Sequence, residues 1–496
     1  MNVASVSLAI ALLVAPMTAL AAPRATPAAA DASKAFVTRH TGTFGGKRVA
    51  YTATVGETVL RDAAGTPTLR LVSTAYIRDG GDRASRPVLF VFNGGPSSSS
   101  SALHLLGLGP KRLDLPQDVT LPIPAAPALI DNPDSVLDAA DIVFVDPAET
   151  GFSRVLPGGD RAVFYSADGD ARSISDFVQT WVRENGREAS PKYVLGESYG
   201  TIRAALMAGQ LAAAMPLDGV FIFGQAVNIV ETTQRERNAL GYASNLPALA
   251  AIAAYHGRID LKGRTMSAFI DEAYAWAMGP YMTALIKGVE LSEAERRTVA
   301  DQLQAFTGIS ADYYLAHRLG ISKVAFRTAL LKDQGRTLGV YDARYTAPAP
   351  GPGQRPTDAF GAIPDRLPAA LATYMATDLG VTWPMTDYRT YAPDTGSWSW
   401  SPTGGMGGPF SDFDYQAELS KAFAAKPTFR LVVGTGIYDT TTTVGPARQL
   451  VAQGDFPKDR VALRQYEGGH MAYTNFAAAR AFSEDVRAWL GGGLPR

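Results

Sequence analysis

Five short runs dominated by apolar residues punctuate this chain, and they restrict its architecture more than any other feature: Pro87–Phe92, Ala140–Val145, Lys192–Leu195, Gly219–Phe223 and Thr428–Val433. A strand with one wetted face alternates apolar and polar residues, whereas a run without alternation marks a strand buried on both faces. Between the second and third runs, Ala171–Glu184 sets Ile174, Phe177, Val178 and Trp181 on one helical face. Strand, helix, strand in that order predicts an α/β fold, with a mostly parallel central sheet and right-handed crossovers. Ahead of the first run, alternation at Arg48–Val55 and Thr68–Tyr76 reads as antiparallel strands.

The rhythm breaks between Val230 and Lys426. Helical segments there (Leu246–Tyr255, Met266–Lys287, Glu293–Ala305) precede a Pro/Gly-rich stretch at Ala347–Pro356 and the tryptophans Trp398 and Trp400. Thr428–Val433 then restores the sheet, and Ala472–Leu490 reads as a last helix. The expected organisation is a core from 35–229 and 427–496, with a large, mainly helical cap inserted over 230–426. Residues 22–34, rich in Ala and Pro, are expected to form a disordered lead-in. Before them, Val3–Pro16 is an apolar run too short to span a bilayer comfortably, and it leads to Ala19-Leu20-Ala21, a cleavage pattern. Residues 1–21 therefore read as an export signal, which predicts a secreted or periplasmic protein with no membrane attachment after the cut.

Composition excludes several functions. Lys and Arg total 46 against 47 Asp and Glu, so there is no basic surplus to draw nucleic acid. There is no cysteine, which removes disulfides, thiol nucleophiles and thiolate metal sites together. None of the histidines His40, His104, His256, His317 and His470 lies within four residues of another, which excludes a His-x-x-x-His zinc pair. No metal or other cofactor is called for, and the expected partner is a peptide or small acyl substrate.

Gly196-Glu-Ser-Tyr-Gly200 follows the run Lys192–Leu195 and precedes a helical segment, Thr201–Ala214. A Gly-x-Ser-x-Gly placed between strand and helix predicts a nucleophile elbow, in which a sharp turn lifts the Ser198 hydroxyl off the sheet. A serine nucleophile needs a base, and the base an orienting acid, in the chain order Ser, acid, His. Only His470, in Glu467-Gly-Gly-His-Met471, lies far enough along the chain. Asp439, just past Thr428–Val433 and Gly434-Thr-Gly436, is preferred as the acid over Asp455 and Asp459, which sit among Gly and Pro in an expected solvated turn. An oxyanion hole needs backbone N–H groups: Tyr199, after the nucleophile, should supply one, and Gly95, in the turn Asn93-Gly-Gly-Pro96 after the first run, the other.

These residues resemble the serine carboxypeptidase family. The resemblance rests on Phe92-Asn-Gly-Gly-Pro-Ser-Ser98, Gly107-Leu-Gly-Pro110, Asp146-Pro-Ala-Glu-Thr-Gly-Phe-Ser153, Gly196-Glu-Ser-Tyr-Gly200, Asp439 and Gly469-His-Met471, in the family's order. It implies the α/β-hydrolase fold and an exopeptidase that removes the C-terminal residue of peptides through an acyl-enzyme on Ser198. It also implies that Asn93, Gly94 and Glu197 hold the substrate's terminal carboxylate and that Met471 lines the pocket of the departing residue. Glu197 suits that role only when protonated, since two carboxylates side by side repel. The same triad would serve an esterase, an aminopeptidase or an acyltransferase, and an inert copy of the fold would be a binding protein. Three positions depart from the family: Ser97-Ser98 stand where many members have Gly-Cys, Gly107 replaces a second glutamate that pairs with the one before the nucleophile, and Glu149 replaces a small glycine. Whether His104 or Glu149 compensates for the missing glutamate is open at this level.

Overall fold

The structure, a computed structural model, describes residues 34–351, 353–354, 357–401 and 413–495. The export signal, its cleavage site and the lead-in up to residue 33 lie outside the described residues.

Nine strands make the body of one sheet: β1 (Ala35–Phe44), β2 (Lys47–Arg61), β3 (Pro67–Arg78), β4 (Val88–Phe92), β5 (Asp141–Asp146), β6 (Lys192–Glu197), β7 (Gly219–Phe223), β8 (Arg430–Gly436) and β9 (Val461–Tyr466). Their order across the sheet is β1-β2-β3-β5-β4-β6-β7-β8-β9, with the short strand Arg154–Val155 paired to β3. The first three strands meet β5 as an antiparallel meander, and the six strands from β5 to β9 run parallel. All five apolar runs became parallel strands. In β4 the reason is visible residue by residue: Leu89 and Val91 enter one core, Val88, Phe90 and Phe92 the opposite one, and all are buried. Phe90 meets Phe177 and Trp181 edge-on at 6.4 and 5.5 Å. Truncating such a ring costs about 3–5 kcal/mol.

Helices α1 (Ala167–Glu184) and α2 (Gly200–Leu211) cover one face of the sheet, and α1 turns Ile174, Phe177, Val178 and Trp181 inward as its period requires. On the other face lies α5 (Phe476–Leu490), carrying Phe482, Val486 and Trp489. Between β7 and β8 the chain builds α3 (Ala239–Tyr255) and α4 (Glu293–Thr307), which share a third core with the shorter helices around them. Among the described residues no helix is long and apolar enough to cross a membrane.

Two expected helices are broken. Met266–Lys287 is Met266–Trp276, a widened turn at Ala277–Tyr281, then Met282–Lys287. Pro280 lies in that turn; it lacks an N–H and crowds the preceding turn, which opens the ladder locally. Ala472–Leu490 divides into a short turn, Ala472–Thr474, and α5, because Asn475 caps the helix by accepting the Ala478 N–H at 3.0 Å. Strands β1 and β9, which the apolar runs did not announce, sit at the two edges of the sheet and are only half-buried.

Candidate active site

β6 ends at Glu197 and α2 begins at Gly200, so the chain reverses over Ser198 and Tyr199. Ser198 has φ of 58°, a left-handed backbone that costs a non-glycine residue about 1–3 kcal/mol and is retained where it presents a side chain. Its N–H bonds the Phe223 carbonyl at the end of β7 (2.9 Å). Gly196 cannot be larger, since a Cβ there would collide with the Gly200 carbonyl. The predicted elbow is therefore present.

The Asn93–Pro96 turn leaves the end of β4 and packs on this elbow. A Cβ on Gly94 would stand 2.5 Å from the Tyr199 nitrogen, so Gly94 permits the approach and is itself buried. Gly95 is exposed. Among the described residues the N–H groups of Gly95 and Tyr199 have no intramolecular acceptor, which leaves both for a developing oxyanion. Arg203 fastens elbow and turn together from below: its Nη1 donates to the Asn93 carbonyl (2.8 Å) and its Nε to Asp170 (2.7 Å), which also accepts the Tyr199 hydroxyl (3.2 Å).

Asp439 lies past β8 and is fully buried. Its Oδ2 accepts His470 Nδ1 at 2.7 Å and the Thr442 hydroxyl at 2.7 Å; its Oδ1 accepts the Thr441 N–H and hydroxyl, both at 2.6 Å. Burial works against its charge, but His470 and the threonine bonds prevail and hold it below the ordinary carboxylate range. An ionised carboxylate only accepts, so Nδ1 carries the proton and Nε2 keeps its lone pair, as a base requires. Burial likewise opposes a charge on His470, yet Asp439 and then Glu197 raise its pKa above the usual value. The imidazole sits over the end of β7, where its Cε1 would lie 3.1 Å from a Cβ on Gly224, one residue past the Phe223 that binds the elbow. The rejected acids Asp455 and Asp459 are exposed.

Glu197, next to the nucleophile, is buried, and one oxygen does the bonding: Oε2 accepts Asn93 Nδ2 at 2.8 Å and the hydroxyl of Tyr473. Asn93 is oriented by its own Oδ1, which accepts the Leu103 N–H (2.9 Å). Burial pushes the Glu197 carboxyl up to about 7, against the downward pull of His470. Met471 is half-buried beside His470, against the same core as Tyr473.

Several contributors carried no motif. Val340–Ala343, from the segment between β7 and β8, is wedged between the acid and base loops. Tyr341 accepts the His470 N–H (2.5 Å), Asp342 Oδ2 accepts the Gly469 N–H (3.0 Å), Ala343 donates to the Tyr438 carbonyl (3.0 Å), and Val340 accepts the Thr440 hydroxyl (2.5 Å). Lys323 Nζ bonds the Thr441 carbonyl (2.8 Å) beside the acid. Ser97 and Ser99 pair with Ala392 and Thr390 (2.9 Å each), leaving Tyr391 exposed next to the oxyanion turn. The run of threonines after Asp439 was the one signal in the sequence that could have been used; side-chain hydroxyls after an acid commonly fold back on it.

The open questions at His104 and Glu149 resolve as structural roles. His104 stacks on Phe144 (4.4 Å) and bonds the Tyr76 hydroxyl (2.6 Å), and burial lowers its pKa to about 3, so it is neutral. Glu149 accepts the Val155 N–H (2.9 Å) and pairs with Arg389.

Residues 76–233 match the family model described as serine carboxypeptidase. No curated protein matches the sequence. Solved structures of similar shape include the proline iminopeptidase of Mycobacterium smegmatis (14% identity, TM-score 0.35, 92% of this chain and 98% of that one). Others are juvenile hormone epoxide hydrolase from the silkworm Bombyx mori (15%, 0.35, 89% and 78%) and a peroxisomal α/β-hydrolase from Saccharomyces cerevisiae (10%, 0.34, 93% and 90%). The fold is assigned on the strand order and the elbow, and residues 76–233 bear the family resemblance. The chain thus has the sheet and the nucleophile elbow of a serine hydrolase of the α/β-hydrolase type, and over residues 76–233 it is similar to the serine carboxypeptidases.

Proposed function

We propose that the chain is a serine-type carboxypeptidase. Ser198 Oγ attacks the carbonyl of the last peptide bond while His470 Nε2 takes its proton; the tetrahedral oxyanion sits on the Gly95 and Tyr199 N–H groups. Collapse breaks the C–N bond, His470 returns the proton to the departing amine, and a water, activated the same way, frees the acyl group from Ser198. The observation that carries the reading is Glu197 with Asn93, directly beside the nucleophile: a buried carboxyl pushed up to about 7 is protonated in mildly acidic solution and can donate to a substrate carboxylate.

A panel of N-blocked dipeptides, their C-terminal amides and matching esters tests this. Free acids should be cleaved at least tenfold faster than amides by kcat/KM, and Ser198→Ala should abolish turnover of all three. Equal ester cleavage with no peptide turnover would sink the carboxypeptidase reading and leave the hydrolase.

A further inference from the structure

We propose that Tyr473 is a positioning residue that stands in for a second carboxyl beside Glu197, so that the carboxylate subsite works with one titrating carboxyl instead of a pair sharing a proton. The inference rests on the reading of Glu197 and Asn93 as that subsite. Two observations carry it. First, the ring lies against position 107: a Cβ on Gly107 would be in van der Waals contact with Leu103 Cδ2 (3.4 Å) and with Cγ and Cδ2 of Tyr473 (3.6 Å each), so Tyr473 borders the place a side chain from 107 would enter. Second, the hydroxyl is committed: Tyr473, itself buried, donates to Glu197 Oε2, the oxygen already bonded by Asn93. Burial raises the phenol far above its usual pKa, so it stays a donor throughout the working range. Neither His104, bonded to Tyr76, nor Glu149, paired with Arg389, has taken the vacant role.

The consequence is electrostatic. Two carboxyls side by side keep one proton between them, whereas a phenol that donates favours the ionised form of Glu197. The other groups facing Glu197 are His470 and Asp439 from the two catalytic loops and the Tyr341 phenol from the inserted segment. With Oε2 occupied, Oε1 is left for the ligand: protonated it donates to a carboxylate, ionised it repels one. Carboxylate binding should therefore weaken about tenfold per pH unit above the Glu197 midpoint.

The test compares 3-phenylpropionate with 3-phenylpropionamide as protectants of Ser198 against a fluorophosphonate, each rate divided by the unprotected rate at the same pH. That ratio cancels the effect of His470 titration on the reactivity of Ser198 itself, and the amide reports any remaining effect of His470 that does not involve the carboxylate. Wild-type protein should bind the acid well below about pH 7 and lose it above, with the amide flat. In Tyr473→Phe the loss should move alkaline by about one pH unit, because one bond to the carboxylate form is gone. In Glu197→Gln it should vanish. Tyr473→Phe and wild-type curves that coincide would overturn the role of Tyr473 while leaving the carboxylate subsite intact. If acid and amide protect alike at every pH in wild type, the subsite reading falls and this inference with it.

Discussion

Ser198 takes its shape from hydrogen bonds within the core, through Phe223 beneath it and the Arg203–Asp170 pair behind it, whereas the loop of His470 is held from two sides, by Tyr438 and Asp439 of the core and by the segment inserted between β7 and β8. The nucleophile stands on a strand-to-helix turn with a strained φ that the surrounding sheet enforces. The base stands on a loop, and loops hold a side chain only as well as their neighbours do. Beside the core's own bonds, Val340–Ala343 packs on this one so closely that a Cβ on Gly469 would lie 2.5 Å from Asp342 Cα. The difference teaches that the inserted segment is more than a cover: it adds hydrogen bonds to the loops of Asp439 and His470, while the elbow does not depend on it for its hydrogen bonds.

The comparison breaks most visibly at the acid. Asp439→Asn keeps the shape but loses the charge that fixes the Nδ1–H tautomer, so kcat should fall about 10³–10⁴-fold with little change in Tm. A loss below tenfold would mean that Thr441 and Thr442, which also reach Nδ1 at 2.9 and 3.1 Å, hold the ring without it. Asp342→Ala removes the acceptor for Gly469 N–H and the partner of Arg344, so kcat should drop about 10–100-fold with KM little moved, alongside a lower Tm. A fall in Tm with kcat untouched would reduce Val340–Ala343 to packing. Glu149→Gln is the smallest effect on rate: it removes the buried charge that Arg389 and Arg161 pair with, a link between core and inserted segment, and should lower Tm by several degrees with kcat within about twofold. A larger loss of rate would place the Arg389 strap within the catalytic apparatus.

The half of the site that belongs to the core was legible because its constraints are local. Gly196 and Gly200 flank Ser198 for steric reasons that leave a five-residue trace, and the apolar runs of β4 to β8 follow from burial on two faces. Edge strands β1 and β9 were silent because half-buried strands need no such run. Asp342 and Tyr473 were illegible for a different reason. Asp342 acts on Gly469 across 127 positions and Tyr473 on Glu197 across 276, and no spacing rule links residues so far apart. The substitution at Gly107 was visible in the sequence as a missing partner; its replacement was visible only in space.

Ser198 and the oxyanion turn come from the first half of the chain, Asp439 and His470 from its last sixth. As the polypeptide is made, the elbow can therefore exist well before any base is available to it. The contacts of Val340–Ala343 add a second condition, because the loop bearing His470 gains the bonds to Tyr341 and Asp342 only where the inserted segment is docked. A chain stalled or cut before its last strand therefore holds the elbow serine with no histidine beside it.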